Sequence, residues 1–209
     1  MSAGERVEKL MDVYPCFKDH IEIIEEARRV LGVESSGDRE EFKNQCIGLL
    51  ADEIEPIIYY GINKGISPPK SPKTNSKILH VLQNLPYIFS AKKQPKKVLD
   101  LVYKLKDHED REAWCSKRSG NVPVLLIERT RCYLIIGKKM VAELDEEKLN
   151  EGVLALLASF YLLDFDYPRF HEMGLTFLHQ YIFKDMIVPT DIKPSFELVL
   201  TDYKNFKSN

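Results

Sequence analysis

The sequence predicts an α+β fold that is mainly helical, with a short antiparallel β-hairpin or small sheet and a C-terminal antiparallel helix pair. Three observations predict it. Apolar residues recur with helical spacing through most of the first hundred residues. The period then changes to two short β-branched runs, "VPVLLIE" (Val122–Glu128) and "RCYLIIG" (Arg131–Gly137), on either side of Arg129 and Thr130. An almost wholly apolar helix and a second amphipathic one follow, joined by a short acidic, aromatic turn.

The elements follow in chain order. His20 to Leu31 places Ile21, Ile24, Ala27, Val30 and Leu31 on one helical face, with Gly32 to end it. Gly37-Asp38 marks a turn, with Asp38 as an N-cap and Glu41 three residues on. A helix from Arg39 to Glu55 follows, carried by Phe42, Cys46, Leu49, Leu50 and Ile54, and Pro56 kinks it or opens a further turn. "GINKGISPPKSPKTNSK" has lost all periodicity and reads as a mobile loop over about residues 63–76. Asn75 or Ser76 caps a helix containing Ile78, Leu79, Leu82 and Leu85, which Pro86 interrupts. Pro95 to Lys106 carries another apolar stripe, Val98, Leu99, Val102 and Leu105, so the helical part spans about residues 18–106.

Asp107 to Asn121 is polar and reads as a loop with at most one helical turn. In the hairpin, continuous apolar runs imply strands buried on both faces, and "KMVAEL" adds a third short strand. Asp145 caps a helix running to about Leu163, nearly all apolar and therefore central. Pro168 suits the first turn of the next helix, with Phe170, Met173, Phe177, Leu178, Tyr181 and Ile182 on one face. Asp164 fits this corner least well, because a carboxylate at a helix C-terminus opposes the dipole. The hairpin and helix pair form a module over about residues 122–184, and residues 185–209 form a tail in which Phe196 to Leu200 alternates, as a late edge strand or a docked tail would. The expectation is one domain over residues 1–209.

Composition narrows the function class. The chain is 44% apolar and 30% charged, ordinary for a globular protein. The N-terminus MSAGERVEKL lacks the apolar core of a signal peptide, and the apolar stretch Val153–Leu163 is too short to span a bilayer. The four cysteines, Cys16, Cys46, Cys115 and Cys132, are widely and irregularly spaced, so no zinc site is expected. The expected location is intracellular, cytoplasmic or nuclear, with no membrane association. The net charge of −2 hides a pattern: −7 over residues 1–60, +11 over 61–140 and −6 over 141–209. Such a basic middle attracts nucleic acid or an acidic partner, or faces the acidic ends within one fold.

Chemistry-bearing motifs are few. There is no P-loop, G-x-G-x-x-G or G-x-S-x-G. Cys115 has Lys117 and Arg118 beside it, which lower a thiol pKa, but Asn121 stands where a phosphatase-type loop needs arginine. Asp164 and Asp166 form an acid pair without further ligands, better read as capping residues. His171 and His179 fall off the apolar stripe of their helix and are expected to be exposed. No catalytic residue, metal ligand or cofactor is therefore assigned. Lys70, Lys73, Lys77, Lys92, Lys93, Lys96 and Lys97 are the candidate nucleic-acid contacts within residues 64–97. Ser67 and Ser71, each followed by proline, are candidate phosphorylation sites whose phosphates would cancel part of that charge.

From Val122 to Phe183 the chain resembles uncharacterised animal proteins known as sterile-alpha-motif-containing protein 3-like. The resemblance lies in "PVLLIE", "CYLIIG", "LALLASFYLLDFDYP" and "FLHQYIF", and loosely in "LQNLPYIF". These are packing motifs, and no sterile-alpha-motif domain is seen in the chain. The resemblance implies a recurring hairpin and helix-pair module whose relatives are not recognised enzymes. The sequence thus reads as a noncatalytic module that binds a protein partner or itself. A nucleic-acid-associated protein using the basic middle is the alternative, and an enzyme of unrecognised type the second alternative.

Overall fold

A computed structural model of the protein describes residues 9, 13, 18–33, 39–90 and 98–208. The fold class is α+β, as the sequence predicts: helices accompany a small four-stranded mixed sheet. The chain forms two compact units. One comprises Met1–Gln45 with Asp100–Asp166, the other Cys46–Leu99 with Tyr167–Asn209.

In the first unit, α1 spans His20–Val30. Asp19 caps it by accepting the Ile21 N–H at 2.9 Å, which meets one of the otherwise unpaired first-turn donors. Gly32 sits at φ +66°, and Val33 N–H returns to the Arg28 carbonyl at 3.2 Å, so the glycine ends the helix as expected. The buried stripe is Ile23, Ile24 and Ala27, and Val30, expected on it, is exposed. Residues 34–38, including the expected cap Asp38, lie outside the described residues.

The sheet consists of β1 (Val102–Lys104), β2 (Val124–Glu128), β3 (Arg131–Ile136) and β4 (Lys139–Asp145), in that order. β2, β3 and β4 are antiparallel, with Leu126 opposite Tyr133 and Leu134 opposite Ala142. β1 is parallel to β2, Val102 lying opposite Leu125. This corrects the helix expected over Pro95–Lys106. Its described part, from Val98, is not helical; Val102–Lys104 is strand, and Leu105 N–H donates to the Ile127 carbonyl at 2.8 Å. A short apolar run fits either period, and the hydrogen-bonding edge of β2 decided between them.

The polar stretch between β1 and β2 holds α4 (Arg111–Lys117, numbered after α2 and α3 below), capped by Asp110, whose carboxylate accepts the Ala113 N–H at 2.8 Å. The sheet is buried on both faces, as the continuous apolar runs imply. On one face Leu105, Cys115, Val124, Leu126, Tyr133 and Ile135 form a cluster with Tyr103 and Trp114. On the other, α5 (Leu149–Leu162) lies close enough that a Cβ on Gly152 would touch the Cys132 sulfur and Leu125. α1 packs against α5, which accounts for a helix apolar on nearly all sides. A 3₁₀ turn, Glu146–Lys148, precedes it. Asp145 does not cap that turn; its carboxylate accepts from Arg131 at 2.8 Å instead.

α2 spans Arg39–Asn63, its first turns in one unit and the rest, from Cys46, in the other. Pro56 lies inside it and does not end it. Ile54, Ile57, Ile58 and Tyr60 are buried on either side of the proline, and their burial outweighs one missing hydrogen bond. α3 spans Thr74–Ile88, so Asn75 and Ser76 sit inside its first turn rather than capping it, and Pro86 lies within its last turn. α6 (Glu172–Leu178) continues into a π-helical turn, His179–Phe183. Pro168 therefore stands before the helix, in a turn closed by His171 N–H to its carbonyl at 2.7 Å, and Phe170 is exposed. The expected helix pair is divided between the units, since the boundary falls between Asp166 and Tyr167.

α7 (Lys193–Ser208) corrects the edge strand expected at Phe196–Leu200. Phe196, Val199 and Tyr203 have helical spacing and are all buried, and that stripe overrides the local alternation. The core of this unit is aromatic. Phe89 stacks on Phe177 at 4.2 Å, and Tyr203 meets Phe177 and Tyr60 edge-on at 4.9 Å and 5.2 Å.

Candidate interaction surface

Cys115 is buried, and burial raises its thiol pKa against the opposing pull of Arg118 and Arg111, the reverse of an activated nucleophile. Burial pushes the thiols of Cys46 and Cys132 up to about 12. Asp164 and Asp166 are exposed. Asp164 occupies the left-handed position of a helix-ending motif at φ +49°: Phe165 N–H reaches the Phe160 carbonyl at 3.1 Å and Asp164 N–H the Tyr161 carbonyl at 3.3 Å. The turn is a backbone device that ends α5. Among the described residues, no group of three or more His, Cys, Asp or Glu is placed to hold a metal ion.

His171 and His179 are buried, correcting the exposure expected of them. α6 is covered nearly all round, from Gly174 to Leu178, so no solvent face remains for its flanking histidines. His171 Nε2–H donates to the Leu99 carbonyl at 2.6 Å, and burial lowers its pKa. His179 Nδ1 shares a 2.7 Å hydrogen bond with the Tyr167 hydroxyl, whose own pKa burial raises. Both are structural histidines.

Sequence reading missed a charged cluster in the first unit. His20 Nε2 lies 2.8 Å from a Glu151 oxygen, Lys43 Nζ lies 3.9 Å from that same oxygen, and Asp19 stands 3.4 Å from the other ring nitrogen. The Glu151 carboxylate thus ties α1, through His20, to α5. His20 and Glu151 stand 131 residues apart, and no local pattern links them.

The candidate nucleic-acid residues fare unevenly. Lys70 and Lys73 are exposed. Lys77 is half-buried and ion-paired with Glu55. Lys92, Lys93, Lys96 and Lys97 lie outside the described residues. Lys64, in the same segment, sits over the Tyr60 ring at 4.3 Å and 3.6 Å from Asp202. Two of the four described lysines of this segment are thus already neutralised within the fold, which weakens the attraction for a polyanion relative to the sequence count.

Exposed apolar side chains supply a different kind of surface. In the second unit, Met186 is 71% exposed and Ile187 78%. Lys184, at φ +57°, ends the π-helical turn, its N–H donating to the His179 carbonyl. The Asp185 carboxylate then accepts the Ile187 N–H at 3.0 Å, a local turn that fixes the loop. Leu198 is 72% exposed on the face of α7 opposite its buried stripe, and Tyr59 and Ile62 lie one turn apart on an exposed face of α2. Composition cannot single out these residues, since their burial depends on where each helix turns its stripe. No known protein family, curated protein or solved structure matches this chain. No helix among the described residues is long and apolar enough to cross a membrane.

Proposed function

We propose that the protein is a noncatalytic interaction module that binds a protein partner or a second copy of itself through apolar surface on the unit formed by Cys46–Leu99 and Tyr167–Asn209. The observation that carries this reading is the Met186-Ile187 pair. Singly scattered exposed apolar residues are normal. Two consecutive large ones, turned to solvent by a backbone held at Lys184 and Asp185, are an apolar feature that a partner would cover. The burial of Cys115, His171 and His179 and the helix-ending role of Asp164 support a noncatalytic reading. The resemblance of Val122–Phe183 to sterile-alpha-motif-containing protein 3-like proteins points the same way, since its shared residues are packing residues.

The test compares the wild type with a Met186→Ser/Ile187→Ser variant by light scattering and by pull-down from the protein's own cells. Self-association or a retained partner that the variant loses, at unchanged thermal stability, supports the reading. A strict monomer that retains no partner counts against it.

A further inference from the structure

We propose that Ser67 is a phosphorylation site for a proline-directed serine/threonine kinase, and that Ser71, four residues on, is not. Ser67-Pro68-Pro69-Lys70 places a proline directly after the hydroxyl and a lysine three residues after it. The structure separates this serine from its neighbour. α2 ends in a left-handed glycine, Gly65 at φ +87°, and Ile66 N–H returns to the Gly61 carbonyl at 3.0 Å. α3 begins at Thr74. The segment between is free of helix and strand and anchored at both ends, so a kinase cleft takes it without unfolding either helix.

Ser67 and Pro68 each precede a proline, and that position favours extended backbone. An extended segment with its hydroxyl in solvent is the form a cleft reads from both sides, and Ser67 is exposed. Ser71 is half-buried. Its Oγ accepts the Lys73 N–H at 3.3 Å, and its lysine follows the proline directly.

In the reaction, Ser67 Oγ attacks the γ-phosphorus of a magnesium–nucleoside triphosphate held by the kinase. The Oγ–P bond forms and the bond from that phosphorus to the β,γ-bridging oxygen breaks. The hydroxyl proton passes to a carboxylate base of the kinase, and the nucleoside diphosphate leaves. Residues 64–77 carry four lysines and no acid. One phosphoserine adds about −1.5 to −2 charges at neutral pH, which cancels close to half of that positive charge.

The folded full-length chain is incubated with the catalytic domain of a proline-directed kinase and magnesium ATP, then read by intact mass and fragment mapping. Ser67→Ala, Ser71→Ala and a synthetic peptide of residues 62–75 run alongside. The expected result is one phosphate on the wild type and on Ser71→Ala, and none on Ser67→Ala. Three results overturn the proposal: phosphate mapped to Ser71 and retained in Ser67→Ala, modification of the peptide without the folded chain, or modification of neither.

Discussion

Tyr203 donates its phenolic proton to Glu53 across 2.5 Å, from a position 150 residues away in the chain. The other carboxylate oxygen of Glu53 accepts from Lys207 at 2.7 Å. Tyr203 is fully buried and Glu53 nearly so, and the tyrosine's pKa is raised by burial and by the carboxylate it serves. A buried carboxylate is costly unless its lone pairs are met. These two donors therefore add to the aromatic packing that joins α7 to α2.

Removing the two donors should not be equivalent. Tyr203→Phe leaves a buried carboxylate oxygen without its donor and should cost about 2 kcal/mol. Lys207→Met should cost less, about 1 kcal/mol, because its ammonium is partly in water and screened there. Urea unfolding of the two variants measures this, and a larger loss for Lys207→Met would show that the hydroxyl is not the main support.

At Gly174, α6 lies close against α3. A Cβ there would stand 2.8 Å from Leu85 Cδ2 and 3.1 Å from Cδ1, with Cγ also in collision, and Leu85 is fully buried. Gly174→Ala should destabilise by about 1–3 kcal/mol, as overpacked cores do. Leu85→Ala should cost less in the Gly174→Ala background than in the wild type, because residues in contact are not additive. Strict additivity of the two changes would remove the steric account.

Asp164 holds a left-handed conformation that suits glycine better than a side chain. Asp164→Gly should raise stability by about 1 kcal/mol, since it relieves that conformation and removes a negative charge from a helix C-terminus. Asp164→Val should lower it, because a β-branched side chain resists the left-handed region. Thermal unfolding reads both, and no change in either would argue against the helix-ending motif.

His171 gives a pH dependence of defined sign. Burial lowers its pKa below the usual value of 6.5, so below that pH the unfolded chain takes up a proton that the folded chain refuses. Its contribution is fully present above about pH 6.5 and is lost as pH falls from there through the folded pKa. His80, also lowered by burial, acts in the same direction. Denaturation midpoints measured from pH 7 to pH 5 should fall, and the slope should shrink in His171→Gln. An unchanged slope would mean that His171 is protonated as easily folded as unfolded.

Some of this protein was legible in its residues alone. The β2–β3 hairpin, the added strand β4, the central helix α5 and the Gly32 helix end all rest on local signals: a period of two, continuous apolar runs, and a glycine where positive φ is needed. Of the candidate sites, the Ser67 motif and the exposure of Lys70 and Lys73 were readable, because loop residues keep the character their sequence suggests.

The rest was settled by contacts between distant parts of the chain. Val102–Lys104 became a strand because the edge of β2 offered hydrogen bonds in register, although the same residues form a plausible helical stripe. Pro56 stayed inside a helix because buried isoleucines on both sides of it outweigh one lost bond. His171 and His179 became interior groups because α6 is enclosed, and a helical wheel cannot show how many sides of a helix are covered. Glu53 meets Tyr203, and His20 meets Glu151, across more than 130 residues. The sequence by itself determined the hairpin turn at Arg129-Thr130, the helix end at Gly32 and the periods of β2, β3 and α5, since those are properties of neighbouring residues. Which face is buried, and which charges find partners, are properties of packing, and only the tertiary structure decided them.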